Sequence, residues 1–286
     1  MESVLRQAVA ERIEQLGLVD PVAEQLQKAV RKLVPAGSEL KDALSGTWLG
    51  HPLHPALTDV VVGAWTSALV LDVVGGEGAE GGADLLVGAG VLAAVPTAAT
   101  GASDWAELRG GTRRVGSVHA VGNNTALVLH ALSLAARRRG ERGRGRALSA
   151  LGFGVASFSA WLGGHLSFSQ GVGVNQTAFD SGPSDWTAVA EERDVTDGTL
   201  TPGSANGVAI ALARRDGQIH ALADRCSHRG CSLHEGELNA DGTITCPCHG
   251  STFRLDGSIV KGPATSPQPS FEVRTNAGSV EVRRPA

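Results

Sequence analysis

The chain has 286 residues, and its formal net charge at pH 7 is −4 from 25 basic and 29 acidic side chains. This balance excludes the strongly basic proteins that bind nucleic acid through their overall charge. The chain has only four cysteines and no tyrosine.

The N-terminal arm, residues 1–50, predicts amphipathic helices. Asp20 is expected to cap one of them, with Pro21 at its first helical position. Four apolar residues are expected to share one face of that helix, Val22, Leu26, Val30 and Leu33. The arm contains six basic and seven acidic residues through Leu44, which favours a solvated or membrane-interface helix pair over a nucleic-acid-binding arm. No signal-peptide pattern is found in it.

Residues 51–170 predict a four-helix transmembrane domain. Each of its four apolar segments is close to the length needed to cross a hydrocarbon core: 52–74, 85–103, 115–136 and 147–168. Gly152, Ala156, Ala160 and Gly164 recur at every fourth residue, as at close contacts between membrane helices. The segments are rich in alanine and glycine, so a soluble helical bundle is the alternative. The opening "HPLHPALTDVVVGAW" resembles an uncharacterised family of predicted four-helix bacterial membrane proteins, and that resemblance implies no function.

Histidines of this region form a possible second site. If the helices alternate in direction, four of them lie on one side of the bundle: His51, His54, His119 and His165. His130 lies deeper on the third helix. Facing histidines in a bundle are able to hold a b-type haem, another metal or a quinone. The alternative is a structural role, in which carbonyl or asparagine groups satisfy the rings.

After residue 180 the composition changes from helical to β-like. Residues 171–185 predict a linker, and residues 186–286 predict an antiparallel β domain. Its alternating stretches are separated by Asp-Gly and Asn-Ala-Gly turns, and include "GVAIALARRDGQIHALAD" and "SFEVRTNAGSVEVRR".

Two short segments of the β domain combine thiols and imidazoles. "CSHRGCSLH" contains Cys226 and His228 as C-x-H, and "TCPCHGSTF" contains Cys246 and His249 as C-x-x-H. Two sulfur and two nitrogen ligands suit tetrahedral zinc or a [2Fe–2S] cluster. Common zinc modules take both sulfurs from one loop, whereas here each loop supplies one sulfur and one nitrogen. The mixed supply favours the cluster, with zinc or two plain disulfides as alternatives.

This part of the sequence, roughly residues 186–284, resembles the Rieske iron–sulfur family. The resemblance implies an all-β sandwich in which Cys226, His228, Cys246 and His249 bind a [2Fe–2S] cluster. Cys231 and Cys248 resemble the extra pair of the cytochrome bc type, which implies a disulfide between the two loops. "KGPA" resembles the proline loop of the family.

Three positions bear on the mechanism that the resemblance implies. Arg229 replaces an apolar residue after the first histidine, which makes quinol docking less favourable. Phe253 replaces a tyrosine whose hydroxyl bonds a cysteine sulfur, whereas Ser251 remains to donate to a bridging sulfide. One hydrogen bond fewer implies a lower reduction potential than in quinol-oxidising members.

The sequence as a whole predicts an α + β multidomain protein, a membrane-anchored Rieske protein that transfers single electrons. It is expected to be a component of electron transfer rather than a complete enzyme, with a redox protein or small electron carrier as partner. The alternatives are a structural or redox-sensing cluster, and a ferredoxin-like component of an oxidoreductase or oxygenase system. Arginine counts in the loops and the implied disulfide favour an extracytoplasmic Rieske domain.

Overall fold

The computed structural model describes residues 2–285, with the backbone alone for residues 2–7. Met1 and Ala286, the ends of the predicted N-terminal arm and β domain, lie outside the described residues. The chain divides into two compact units. The helical unit runs through Val34 and continues over Leu53–Val172. The β unit combines Pro35–Pro52 with the chain from Gly173 onward.

Seven α-helices lie within the described residues, which is more than the four helices predicted for the bundle. The long helices are α4 (Leu53–Val74), α5 (Glu80–Trp105), α6 (Gly110–Arg138) and α7 (Arg142–Gly164). The arm supplies the other three, α1 (Glu2–Glu14), α2 (Asp20–Leu33) and α3 (Glu39–Ser45). Its amphipathic stretches break at two places into separate helices, at 15–19 and 34–38.

Three helical segments within the described residues are long and apolar enough to cross a membrane: Leu53–Val74, Glu77–Trp105 and Arg142–Ser169. The third predicted segment, 115–136, is not among them. Helix α6 contains it and carries two arginines, two histidines and two asparagines between Arg113 and His130. These polar side chains lower its hydropathy below that of its neighbours.

Helix α2 differs from its prediction in its start. Asp20 is the first helical residue rather than the cap. Its carboxylate lies 3.0 Å from Arg113 Nη2 and accepts bonds from Arg114. The hydrogen bond from Arg114, with that from Arg113, lowers the pKa of Asp20 to about 2.

The buried face of α2 is formed by Ala23 and Gln27. The Gln27 amide donates to Trp105 O at 2.8 Å and Leu108 O at 3.0 Å. The predicted apolar face points outward, since Val22, Leu26 and Leu33 are more than half exposed. The helix is thus fixed to the helical unit through polar bonds, with an apolar stripe on its surface.

A buried ion-pair network joins α4, α5, α6 and α7 at one end of the helical unit. Arg137 of α6 is fully buried, and its guanidinium pairs with Asp72 of α4. It also lies 3.0 Å from Asp84 of α5. Arg142 of α7 reaches the same Asp84 at 2.7 Å. We refer to this network, completed by Glu80 and Arg146, as the clasp.

The β unit contains two antiparallel sheets. The six-stranded sheet has the order β1-β10-β9-β4-β3-β2, and the four-stranded sheet has the order β5-β6-β7-β8. The strands of the first are β1 (Thr187–Glu191), β2 (Leu200–Ala205), β3 (Val208–Arg215), β4 (Gln218–Ala223), β9 (Ser270–Asn276) and β10 (Ser279–Arg283). Those of the second are β5 (Glu237–Leu238), β6 (Thr243–Thr245), β7 (Thr252–Arg254) and β8 (Ile259–Lys261). The smaller sheet is therefore inserted in sequence between β4 and β9.

Tight turns close the hairpins of this unit. The turn between β2 and β3 has Asn206 and Gly207 at positive φ, and that between β3 and β4 has Asp216 and Gly217. Asn-Gly and Asp-Gly pairs favour this geometry, which matches the twist of the strands. Ile210 and Leu212 of β3 pack in the core of the larger sheet with Val280 and Val282 of β10.

Candidate metal centre

Two loops of the β unit have equivalent backbone geometry. In the first loop, Cys226 N donates to Cys231 O and Gly230 N donates to Cys226 O, both at 2.8 Å. In the second, Cys246 N donates to Ser251 O at 2.8 Å and Gly250 N to Cys246 O at 3.1 Å. Gly230 and Gly250 both have positive φ, near 75° and 80°. The two segments 226–231 and 246–251 are therefore matched turns that follow β4 and β6.

Cys226 and Cys246 occupy the first position of these turns, and both are buried and free of disulfides. Their thiols are hydrogen-bonded to each other: this bond raises the pKa of Cys226 and lowers the pKa of Cys246 to about 7. Each sulfur also accepts backbone N–H bonds from its own loop. These bonds favour the thiolate, which is the form that binds metal.

His228 and His249 lie side by side, with ring centroids 5.0 Å apart and ring planes at 85°. Both side chains are half-buried. The structure thus brings together the two sulfurs and the two imidazoles that the sequence singled out. This donor set fits a [2Fe–2S] group with two sulfur and two nitrogen ligands.

A disulfide joins Cys231 of the first loop to Cys248 of the second, with Cα atoms 6.4 Å apart. This is the bond that the sequence resemblance implies. It ties the two matched turns to each other.

The residues around the second loop are buried. Phe253 is fully buried in β7 and belongs to the apolar core that includes Cys226 and Cys246. Ser251 is also fully buried, and its hydroxyl oxygen accepts a bond from Ala264 N at 3.0 Å. The loop 262–264, which the sequence matched to the proline loop, therefore packs directly on the second ligand-bearing turn.

Two further buried polar residues hold the first loop, and the sequence did not single them out. The Gln268 amide donates to Ala223 O and Arg225 O, each at 2.6 Å. It accepts from Ser227 N at 3.0 Å. The sequence gives no signal for this role, because the partners are more than 40 residues away in the chain.

Asp224 is the second residue of this kind. Its carboxylate accepts from His234 N at 2.7 Å and lies 2.8 Å from His234 Nδ1. Its position two residues before Cys226 was a possible signal, since acidic groups often orient loops through backbone N–H groups.

The histidines of the possible second site are placed differently from one another. His54 and His119 come together, with ring centroids 6.3 Å apart. His165 pairs with Glu14 at 3.2 Å, and His51 is exposed in the β unit. The deeper His130 stacks on Trp65 at 3.8 Å.

Hydrogen bonds occupy the rings of the two histidines that meet. His54 Nδ1 lies 2.9 Å from Thr97 O, and His119 Nδ1 lies 2.8 Å from Ser159 O. The other nitrogen of His119 lies 3.0 Å from Asn123 Nδ2. These contacts link His54 of α4 to α5 and His119 of α6 to α7.

Comparisons with known families divide the chain in the same way. Residues 185–272 match the Rieske [2Fe–2S] domain family. Residues 50–176 match a family described as predicted membrane protein (DUF2231).

Two relatives are similar in sequence to part of the chain. Over 77 residues the chain is 38% identical to the 3-phenylpropionate/cinnamic acid dioxygenase ferredoxin subunit of Escherichia coli K12, covering 27% of this chain and 73% of that subunit. Over 95 residues it is 33% identical to the cytochrome b6-f complex iron-sulfur subunit of Chlorobaculum tepidum, covering 33% of this chain. The chain spans about half of the latter relative, 51% of its length.

Two solved ferredoxin structures align with about a third of the chain. The ferredoxin of carbazole 1,9a-dioxygenase from Nocardioides aromaticivorans IC177 aligns over 36% of this chain and 100% of its own, with 23% identity and a TM-score of 0.34. The Sphingomonas yanoikuyae B1 ferredoxin aligns over 35% of this chain and 100% of its own, with 23% identity and a TM-score of 0.33.

Proposed function

Because the chain belongs to the Rieske [2Fe–2S] family through its C-terminal domain, we propose that it is a membrane-anchored carrier of single electrons. The proposed cluster ligands are Cys226, His228, Cys246 and His249. The observation that carries this proposal is the pair of matched turns, which bring two buried sulfurs and two adjacent imidazoles into one place.

A bound [2Fe–2S] cluster supplies one-electron chemistry. The residues of the chain support this chemistry in three ways. The backbone N–H groups that face Cys226 and Cys246 stabilise thiolate charge, and such bonds raise a reduction potential. The buried Leu233 and Phe253 exclude water from the sulfur side. His228 and His249 remain half-buried, so their outer edges are the part of the site that a redox partner can approach.

Ligand substitutions test the assignment. Replacing any one of the four proposed ligands with serine or alanine is expected to abolish iron binding. Cys231→Ser is the matched control, because Cys231 lies in the same loop as Cys226 but is disulfide-bonded. If Cys231→Ser removed the iron while Cys226→Ser kept it, the assignment would be wrong.

The membrane anchoring is supported by the outer surface of the long helices. Large apolar side chains there are exposed, among them Val60, Val70, Leu85, Leu92, Val128 and Leu151. Apolar patches on this scale are unusual for a soluble monomer and suit contact with lipid. The match to a predicted membrane protein family supports the same reading.

The composition of the β unit supports four crossings rather than three. Pro35–Pro52 precede α4 and the remaining part of the unit follows α7, yet both belong to one compact unit. Segments that pack in one unit lie on one side of a membrane, so the chain between them crosses it an even number of times. Helix α6 then crosses with α4, α5 and α7, and its buried His130 and Ser133 face protein instead of lipid.

We assign residues 51–170 to the membrane domain, 171–185 to a linker and 186–286 to the cluster domain, with residues 1–50 before them. We propose that the cluster domain lies outside the cytoplasm. The six arginines in 137–146 outnumber the four basic residues Lys41, Arg109, Arg113 and Arg114 on the opposite side. The disulfide supports the same side, because oxidising compartments preserve such bonds.

A second candidate function is that of a ferredoxin-like component of an oxygenase or other oxidoreductase system. The similarity to a dioxygenase ferredoxin subunit favours it. In both cases the partner is a redox protein or a small electron carrier, and the direction of electron flow distinguishes the two.

One experiment tests the central proposal: an optical and EPR spectrum of the full-length protein purified in detergent. We expect a visible band that dithionite bleaches and oxygen restores. A colourless protein, or a band that does not bleach, would reject electron transfer. The same spectrum tests for a b-type haem at His54 and His119, which absorbs distinctly.

A further inference from the structure

A short segment before the membrane domain folds as part of the β unit. This segment, residues 35–52, is called the strap. It contains α3, which begins after Ser38, whose hydroxyl accepts from Lys41 N at 3.1 Å. Gly46 ends the helix with a positive φ of 84°. A capped helix followed by a left-handed glycine has a defined position rather than that of a mobile linker.

The strap is bonded to the loop 262–264. Asp42 Oδ1 accepts from Gly262 N at 2.8 Å, and Thr47 Oγ1 donates to Ala264 O at 3.3 Å. A Cβ atom at Gly262 would overlap Thr47 Oγ1 and lie 3.0 Å from Asp42 Oδ1. The close approach therefore requires glycine at this position.

The next contact connects this loop with the second ligand-bearing turn. Ala264 accepts from the strap with its carbonyl and donates to Ser251 Oγ with its N–H. The Ala264 N–H occupies one lone pair of the Ser251 hydroxyl oxygen, so the hydroxyl hydrogen points away from Ala264. Ser251 also fixes the turn itself, since its carbonyl accepts from Cys246 N at 2.8 Å.

The strap approaches the proposed ligands at two more places. A Cβ at Gly250, directly after His249, would lie 3.5 Å from Gly37 N, which is ordinary van der Waals distance. Lys41 of α3 is close enough to influence His228: burial chiefly lowers the pKa of this histidine, with smaller effects from His249, Arg229 and Lys41.

We propose that the strap is a positioning element for the cluster site, with Asp42 and Thr47 as its positioning residues. Through their bonds to the loop 262–264 they hold the Ser251 hydroxyl toward the cluster and exclude water from it. Hydrogen bonds to cluster sulfurs raise the reduction potential, so the strap raises it too. This inference rests on the proposed function, because it assumes a cluster at the matched turns.

Paired variants of the full-length protein test the strap. Asp42→Ala and Asp42→Asn both remove the negative charge, but only asparagine keeps an oxygen that accepts from Gly262. Thr47→Val removes the hydroxyl, and Thr47→Ser keeps it. Glu39→Gln is the control, because Glu39 is exposed on the same helix.

Two measurements are made on each variant. Hydrogen exchange of the Gly262 amide reports the strap contact whether or not a cluster is present. We expect about tenfold faster exchange in Asp42→Ala than in Asp42→Asn. Redox titration is expected to give a lower potential in Asp42→Ala than in Asp42→Asn, and in Thr47→Val than in Thr47→Ser. A threefold to tenfold change in the one-electron equilibrium is expected, where tenfold corresponds to about 59 mV.

The outcomes separate the strap from the cluster. Faster exchange with unchanged potentials would overturn the positioning role and leave a purely structural contact. Unchanged exchange in Asp42→Ala would overturn the contact itself. If the unaltered protein contained no cluster, the proposed function would be rejected. The hydrogen-exchange data would still report on the contact between the strap and the loop 262–264.

Discussion

Phe253 lies where the resemblance to the Rieske family implies a tyrosine that bonds a cysteine sulfur, and its ring is buried in the core that holds Cys226 and Cys246. We expect Phe253→Tyr to raise the reduction potential by tens of millivolts, since one added hydrogen bond contributes about 1 kcal/mol. A redox titration followed by EPR measures the shift. Phe271→Tyr, in the core of the larger sheet, is the control, and a fall in potential for Phe253→Tyr would show that the hydroxyl does not reach the sulfurs.

Gln268 is predicted to be the main polar support of the first loop. Gln268→Leu leaves three backbone groups without their partner, those of Ala223, Arg225 and Ser227. Unsatisfied buried groups are costly, so we expect a loss of about 3 kcal/mol in the free energy of unfolding. Denaturant unfolding of the protein measures it. Gln218→Leu, at the exposed start of β4, is expected to change stability by less than about 0.5 kcal/mol; equal effects would refute the role of Gln268.

For single residues, the sequence predicted those that lie close together in the chain and missed those whose hydrogen-bond partners are distant in the chain. Cys226 and His228 are two residues apart and Cys246 and His249 three, so each half of the donor set is visible in one short motif. Gln268 and Asp42 act on backbone groups 41 and 220 residues away. Nothing in the local pattern distinguishes them from surface residues.

The disulfide between Cys231 and Cys248 holds the two matched turns together. It closes a loop of 17 residues, so its removal is expected to cost about 3 kcal/mol by chain entropy. We expect the double variant Cys231→Ser, Cys248→Ser to retain its cluster but to lose it at a lower temperature. Iron content and thermal bleaching of the visible band measure this. Complete absence of iron in the double variant would contradict the prediction.

The clasp is expected to be the main polar contribution to the packing of α4 with α6. Asp72→Asn removes the charge that balances the buried Arg137, and breaking a buried pair in this way costs about 3 kcal/mol or more. Thermal unfolding in detergent measures the loss. The exposed pair of Arg144 with Glu141 provides the control: Glu141→Gln is expected to have little effect. A similar loss in both variants would argue against a special role for the clasp.

Two elements show why periodicity alone was insufficient. The apolar stripe of α2 was recognised, but a buried face was not predicted for Gln27, whose partners are carbonyls at the end of α5 and beyond. Helix α6 was assigned by its apolar length, although the arginines and histidines in it are polar. Several of those side chains are satisfied by neighbouring helices, as Arg137 is by Asp72 and Asp84, and a single-segment pattern does not reveal such partners.

On the scale of the whole molecule, the side of the membrane decides which partners are available. We expect a fluorescent protein that matures only in the cytoplasm to remain dark when fused to the C-terminus, whereas the same reporter inserted in the α6–α7 connection is expected to fluoresce. The physical reason is the arginine excess in 137–146. Bright cells from the C-terminal fusion would reverse the assignment.

The contacts of the strap also determine which part of the protein completes its fold last during synthesis. Asp42 leaves the ribosome 220 residues before Gly262, an interval of roughly 10–40 s at about 5–20 residues per second. A seven-residue helix is too short to be stable alone, so α3 has to wait for the loop 262–264. The long helices are made during this delay. The β unit can therefore reach its final fold only after the helical unit has been synthesised, so the proposed electron-transfer site is assembled last.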